Sequence, residues 1–266
     1  MPNRTAISAL FLDFDGTISP VDVPREKAYP TLTVRKVLQK IAETIPVAVI
    51  TTKDMQFIKE RVPFASAWAA IGGVEVKIGN RTLTLPRAIS SSPMVESALE
   101  RVEAEVRKID EGIYIERKAL SDGRVVAFCV DWRRARDWNT VRRQVDALFR
   151  PFEERGLIVR RYNGRPYLDV YPEGVSKGHA FLNLKEELRI DGPIMYLGDS
   201  ELDNPAFELA EVSIGVLHNE TSPKLDSEFF VRFNHVGALF HELLKNRLVF
   251  NSESRWIVRN ELRETE

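Results

Sequence analysis

Short apolar runs alternate with amphipathic stretches along most of this chain. Residues 6–12 are almost continuously apolar and end in Asp13, the pattern of a strand covered on both faces. Similar runs at 46–50, 194–197 and 212–216 predict further strands, and helical spacing predicts helices at 33–44, 176–188 and 204–210. Strands alternating with helices imply a parallel α/β sheet. The stretch 94–171 reads differently: helix 94–109, strands 113–118 and 124–131, helix 138–155, strands 157–161 and 166–171, with turn signals at Ser121-Asp122-Gly123 and Asn163-Gly164. That is an α+β unit of paired hairpins over 86–172, inserted into an α/β domain made of 1–85 and 173–266. Hinges are expected at Pro86 with Ser90-Ser91-Ser92-Pro93, and at Pro172-Glu173-Gly174.

With 266 residues the chain can bury a core in one large or two modest domains. Its 38 basic and 39 acidic residues leave a net charge of −1, which argues against a nucleic-acid or anionic-membrane binder. The insert holds 17 basic and 14 acidic residues and the rest 21 and 25, so a mildly basic unit accompanies an acidic one, an arrangement suited to an anionic ligand. Cys129 has no second cysteine to pair with, and the four histidines show no zinc spacing. No uncharged apolar run approaches the ~18 residues of a membrane span, so a cytoplasmic protein is expected. Cys129, in an apolar strand, is expected to be buried and inert. The four tryptophans are expected to pack in the core or an interface. The tail after Leu248 is polar and suggests no role.

Phe11-Leu12-Asp13-Phe14-Asp15-Gly16-Thr17 carries the densest chemistry. On an extended strand end Asp13 and Asp15 project to one face, and Gly16 lets the backbone turn away at the carboxyl end, where open α/β sheets place ligands. Ile50-Thr51-Thr52-Lys53 ends the next strand with hydroxyls able to donate to an anion, and Asp54 is a candidate helix N-cap. Gly174-Val175-Ser176-Lys177-Gly178 puts a lysine in a first helical turn, where the macrodipole disfavours a cation by ~0.3–1 kcal/mol unless an anion is near. Gly198-Asp199-Ser200-Glu201-Leu202-Asp203 follows strand 194–197 and brings Asp199 and Asp203 to the same sheet end. Carboxylates from Asp13, Asp15, Asp199 and Asp203 in one cleft would repel one another unless a cation sat among them, and oxygen ligands indicate a hard ion such as Mg2+.

The order D-x-D-G-T, strand-end Thr, Lys, G-D-x-x-x-D resembles the haloacid dehalogenase superfamily of phosphotransferases, which implies a Rossmann-like core sheet. The insert is similar to type IIB caps of sugar-phosphate phosphatases. Ile115-Glu116-Arg117-Lys118-Ala119-Leu120-Ser121 matches the cap motif I-E-x-K-x-L-S of trehalose-6-phosphate phosphatases, and the run from Leu168 to Gly178 resembles their third motif. The chain departs from that family at Thr51-Thr52-Lys53 (for S-G-R), Ile71-Gly72-Gly73 (for E-H-G) and Asp131-Trp132-Arg133 (for H-Y-R).

The resemblance implies that Asp13 attacks phosphorus while Asp15 acts as acid and then base. It also implies that Thr51 and Lys177 hold phosphoryl oxygens. Magnesium is expected on Asp13, Asp199 and the Asp15 carbonyl, with Asp203 in its outer shell or orienting Lys177. Thr52, Lys53, Glu116, Lys118 and Arg133 are the expected substrate contacts. The expected partner is a small sugar phosphate, most readily trehalose 6-phosphate, with a glucosyl- or mannosyl-3-phosphoglycerate as the alternative and a monomer as the working oligomeric state. A phosphomutase would share the Asp13 chemistry. A silent sugar-phosphate sensor would not need Asp15.

Overall fold

A computed structural model describes residues 4–21, 23–162, 165–218 and 224–261. Their contacts divide into two units, 1–83 with 176–266, and 84–175. None of the described helices is long and apolar enough to cross a membrane.

The first part of the outer unit contains β1 (Arg4–Ala6), β2 (Ala9–Leu12), α1 (Leu32–Ala42), β3 (Val47–Ile50), α2 (Met55–Arg61), β4 (Ala67–Ala70), β5 (Glu75–Ile78) and β6 (Arg81–Thr84). The single strand expected at 6–12 is therefore two, separated at Ile7-Ser8. The insert follows as α3 (Pro86–Ile109), β7 (Tyr114–Ala119), β8 (Val125–Asp131), α4 (Trp138–Glu153), β9 (Leu157–Arg161) and β10 (Tyr167–Pro172). The chain then returns to the outer unit with α5 (Lys177–Glu187), β11 (Ile194–Gly198), α6 (Asn204–Phe207), β12 (Val212–Leu217), β13 (Phe229–Arg232), α7 (Val236–Lys245), β14 (Val249–Asn251) and β15 (Ile257–Arg259).

In the outer unit nine described strands form one sheet in the order β15-β13-β12-β11-β2-β3-β4-β5-β6. From β13 to β4 neighbouring strands run parallel, while β5 and β15 are antiparallel to their inner neighbours. From β2 the chain proceeds one way to β3 and β4, whereas β11, β12 and β13 lie on the other side. The β2/β11 junction is thus a topological switch point, the position where doubly wound sheets open a ligand crevice. Strands β2, β3 and β11 are buried on both faces, which explains their near-continuous apolar sequence. One face packs Phe11, Ala48, Ile50 and Tyr196 against Phe181 and Leu184 of α5 and Phe207 of α6. The tail does have a place in the fold: β14 pairs with β1, and β15 extends the main sheet beside β13.

The insert is a four-stranded antiparallel sheet, β7-β8-β10-β9. Phe128, Val130, Leu168 and Val170 face a core formed with Val95, Leu99 and Val102 of α3 and Val145 and Phe149 of α4. The stretch from Pro86 through 90–93, where a hinge is expected, forms the start of α3, and the division between the two units falls just before it, at 83/84. Pro86 occupies a first-turn position that needs no N–H donor, and Pro93 is tolerated inside because the buried stripe continues from Ala88 through Ser92 and Val95 to Val106. The turn expected at Asn163-Gly164 lies outside the described residues.

Candidate active site

The outer unit's site lies at the carboxyl ends of β2 and β11. After β2 the chain turns tightly, with the amides of Thr17, Ile18 and Ser19 directed to the Phe14 carbonyl. Gly16 takes φ +75°, and a Cβ there would lie 2.0 Å from Asp199 Oδ2, so glycine is required for both conformation and space. After β11, Gly198 is required for space alone: the Asp203 Cγ would lie 2.2 Å from an added Cβ.

Four groups meet there. Lys177 Nζ donates to Asp13 Oδ1 and to Asp203 Oδ1, each at 2.7 Å, with all three side chains buried. Asp203 Oδ1 also accepts from Tyr196 Oη at 2.5 Å, and its Oδ2 accepts from Ser200 N at 3.1 Å and Ser200 Oγ at 2.9 Å. One carboxylate oxygen each from Asp13, Asp199 and Asp203 lies within 4.8 Å of the others. This oxygen set fits a hard divalent cation. Asp203 accepts four hydrogen bonds over its two oxygens, whereas Asp13 Oδ2 receives only a long contact from Thr17 Oγ1 at 3.3 Å, so Asp13 and Asp199 are the carboxylates with room to face an ion.

Electrostatics point the same way. Burial first, then the neighbouring Asp203 charge, raise Asp13 to about 7 against the pull of Lys177. Burial and the charges of Asp13 and Asp203 push Asp199 well above the ordinary carboxylate range. Burial alone would lower Lys177, but Asp13 and Asp203 outweigh it and hold the ammonium charged. A further positive charge would let Asp13 and Asp199 ionise side by side.

The other expected residues are more dispersed. Asp15 lies outside the three-carboxylate cluster; its Oδ2 is 3.8 Å from Lys53 Nζ. Thr51 is buried at the end of β3, where its Oγ1 accepts from the Lys53 amide at 3.2 Å, and Thr52 is half-buried beside it. Asp54 caps α2 by accepting from Phe57 N. Lys177 sits in the first turn of α5 behind the N-cap Ser176, and its two carboxylates are the anions that this placement called for.

In the insert, Glu116 and Lys118 share the sheet face away from the helices. Register puts Glu116, Cys129, Asp169 and Arg160 in one row across β7, β8, β10 and β9. Lys118 is only 3% exposed, and its Nζ donates to Asp169 Oδ1 at 2.6 Å and to Tyr171 Oη at 2.9 Å. Tyr162 Oη donates to the other Asp169 oxygen at 2.8 Å. Arg133 lies beyond the end of β8 and pairs with Asp131 at 2.7 Å. Cys129 departs from the expectation of burial: its residue is half-buried on this polar face, although desolvation still pushes its thiol up. Trp68 and Trp132 are buried, while Trp138 is 46% exposed at the start of α4 and so lies outside the core.

Sequence reasoning did not assign His218, Tyr196, Asp169, Tyr171 or Tyr162. For Asp169 and Tyr171 a signal existed, since Tyr167, Asp169 and Tyr171 alternate on β10 and so share a face. His218 follows β12, at the same sheet end as Asp13 and Asp199, and its only signal was that position.

A family model described as trehalose-phosphatase matches residues 11–227. A probable trehalose-phosphate phosphatase of Oryza sativa subsp. japonica is 26% identical over 219 residues, covering 75% of this chain and 54% of that protein. The trehalose-phosphate phosphatase of Mycobacterium ulcerans is 27% identical over 236 residues, covering 84% and 57%. This chain therefore spans little more than half the length of these relatives. Among solved structures, the C-terminal domain of the C. albicans trehalose-6-phosphate phosphatase superposes with a TM-score of 0.72 at 17% identity, covering 91% of this chain and 94% of that one. A trehalose-6-phosphate phosphatase related protein does so with a TM-score of 0.69 at 19% identity, covering 90% and 99%. These two likenesses are of fold.

Proposed function

Since the chain belongs to the trehalose-phosphatase family, we propose that it is a magnesium-dependent phosphomonoester hydrolase that cleaves trehalose 6-phosphate to trehalose and phosphate. The observation that carries this reading is the buried Asp13–Lys177–Asp203 constellation, with Asp199 beside it, at the switch point of a parallel sheet.

Asp13 is the nucleophile: a carboxylate oxygen attacks phosphorus, the bond from phosphorus to the sugar oxygen breaks, and an aspartyl-phosphate forms. Asp15 gives its proton to the departing sugar oxygen. It then takes a proton from the water that attacks the aspartyl-phosphate, releasing phosphate and restoring Asp13. An ammonium has three N–H bonds; Asp13 and Asp203 each receive one from Lys177, and the third is assigned to a phosphoryl oxygen, together with the Thr51 hydroxyl.

Asp13, Asp199 and the Asp15 carbonyl would hold magnesium, which when bound supplies positive charge to the phosphoryl oxygens and to the crowded carboxylates. Asp203 orients Lys177 rather than binding the ion. Lys53 and Thr52 extend the polar rim next to Asp15. We assign choice of sugar to Glu116, Lys118 and Arg133 of the insert, with Asp169 and Tyr171 fixing the Lys118 ammonium.

Phosphate release from trehalose 6-phosphate, glucosyl- and mannosyl-3-phosphoglycerate and simpler sugar phosphates tests the reading. The expected result is highest kcat/KM on trehalose 6-phosphate, loss of turnover with a chelator, recovery with magnesium, and no turnover by Asp13→Asn. Preference for a phosphoglycerate ester would replace the substrate, and full activity in Asp13→Asn free of wild-type protein would remove the mechanism.

A further inference from the structure

One polar contact at the site comes from outside every segment so far given a role. His218 is the first residue after β12, and β12, β11 and β2 are successive neighbours in the sheet. From there His218 reaches past the end of β11 to the turn that follows β2. Its Nε2 lies 2.7 Å from the Gly16 carbonyl oxygen and 3.7 Å from Asp199 Oδ2. A carbonyl only accepts, so Nε2 carries the hydrogen and donates. The ring stacks on Phe233, with centroids 5.2 Å apart and planes 29° from parallel.

Gly16 explains why such a donor matters. Close approach of Asp199 excludes a side chain at residue 16, and glycine in turn leaves the backbone at its most permissive. The turn then needs restraint from elsewhere. Gly16 N donates to the Ser19 carbonyl at 2.8 Å, and the Gly16 carbonyl accepts from His218. Both polar groups of this residue are thereby held: the Ser19 contact fixes the Asp15–Gly16 peptide plane and the His218 contact fixes the Gly16–Thr17 plane that follows it. A site whose donors are already placed loses less free energy when an ion or a transition state is bound.

We infer that His218 is a positioning residue: docked on Phe233, it clamps the Gly16 carbonyl so that the Asp13–Thr17 turn and Asp199 form a preorganised oxygen site for the divalent ion and the phosphoryl group. The inference rests on the hydrolase reading above for its kinetic half, and on the oxygen cluster alone for its metal-binding half.

The test compares His218→Gln, whose amide nitrogen reaches about as far as Nε2, with His218→Asn, which is one methylene too short, and His218→Phe, which keeps the stacking but has no donor. Mn2+ is titrated into each metal-free protein and followed by the spin-resonance signal of the free ion, and kcat and KM are measured with trehalose 6-phosphate. Asn and Phe should each weaken Mn2+ binding and lower kcat by about tenfold or more, equivalent to ~1.4 kcal/mol, with substrate KM changed by less than about threefold. Gln should recover both quantities to within about threefold of wild type. Equal behaviour of Gln and Asn would overturn the inference, as would a lowered melting temperature in Asn or Phe with ion affinity and kcat unchanged. If Phe does not fold, the Gln and Asn pair decides alone. Failure of the hydrolase reading would show separately, as wild-type protein that binds Mn2+ but releases no phosphate; the ion affinities of the variants would still decide the role of His218.

Discussion

Replacing Asp203 by Asn separates charge from shape at the most enclosed carboxylate of the site. The side chain is completely buried and accepts from Lys177, Tyr196 and both the amide and hydroxyl of Ser200. An asparagine oxygen can still accept from Lys177 and Tyr196, but its NH2 then faces the Ser200 amide. The Ser200 hydroxyl can rotate to accept, whereas the amide is left without its partner at a cost of about 1–3 kcal/mol. The contact to Lys177 changes from charged to neutral, which loses about 1–1.5 kcal/mol, the difference between a charged and a neutral hydrogen bond. Together these give roughly 2–4.5 kcal/mol, overlapping the range of about 3–5 kcal/mol expected when one partner is removed from a buried ion pair. For a cooperative unit of this size, at about 2–4 °C per kcal/mol, the melting temperature of the metal-free protein should fall by roughly 4–18 °C. Thermal unfolding by circular dichroism, with kcat measured below the transition, reads both effects. kcat should fall at least about tenfold because Asp13 is then the one charged partner left of the two that hold Lys177. A fall of under about 2 °C with unchanged kcat would refute the claim that Asp203 holds the ammonium in place.

Four further outcomes are expected. Asp13 titrates near 7 in the metal-free protein, above its unfolded value of 3.8, so its contribution to stability is present at low pH and is lost as pH rises from about 4 through 7. Ion binding requires the ionised form, so the rise in melting temperature caused by magnesium should grow between pH 5 and pH 8 and then level off; equal gains at both pH values would contradict this. Gly16→Ala should abolish turnover and ion binding, because its Cβ cannot coexist with Asp199 Oδ2 and the backbone is left-handed there, as calorimetric titration would show; wild-type affinity would contradict the packing. Glu116→Ala should lower kcat/KM on trehalose 6-phosphate about tenfold while sparing a small aryl phosphate. Lys118→Met should do the same and also lower the melting temperature, since it strands Asp169 in a buried position; equal losses on both substrates would assign these residues to folding.

What the sequence determined by itself was local. Apolar runs bounded by acids specified the buried parallel strands, because a strand covered on both faces has no room for polar side chains. The two-residue spacing of Asp13 and Asp15, the glycines after them, and the carboxylates following a second strand were enough to bring an acidic cleft to the sheet's carboxyl end; that it transfers phosphoryl groups was implied only by the resemblance of the motif order. Tertiary structure decided which polar groups each carboxylate serves, since hydrogen-bond partners are chosen by distance in space and not by separation along the chain. It turned Asp203 toward Lys177, Tyr196 and Ser200, set Asp15 apart from the three-carboxylate cluster, and buried Lys118 against Asp169 and Tyr171. It also made Pro86 and Pro93 parts of a helix, because packing of the stripe from Ala88 to Val106 outweighs one missing backbone donor. His218 shows the limit most plainly: 202 residues separate it from Gly16, and only the order of β12, β11 and β2 in the sheet brings the ring to that carbonyl.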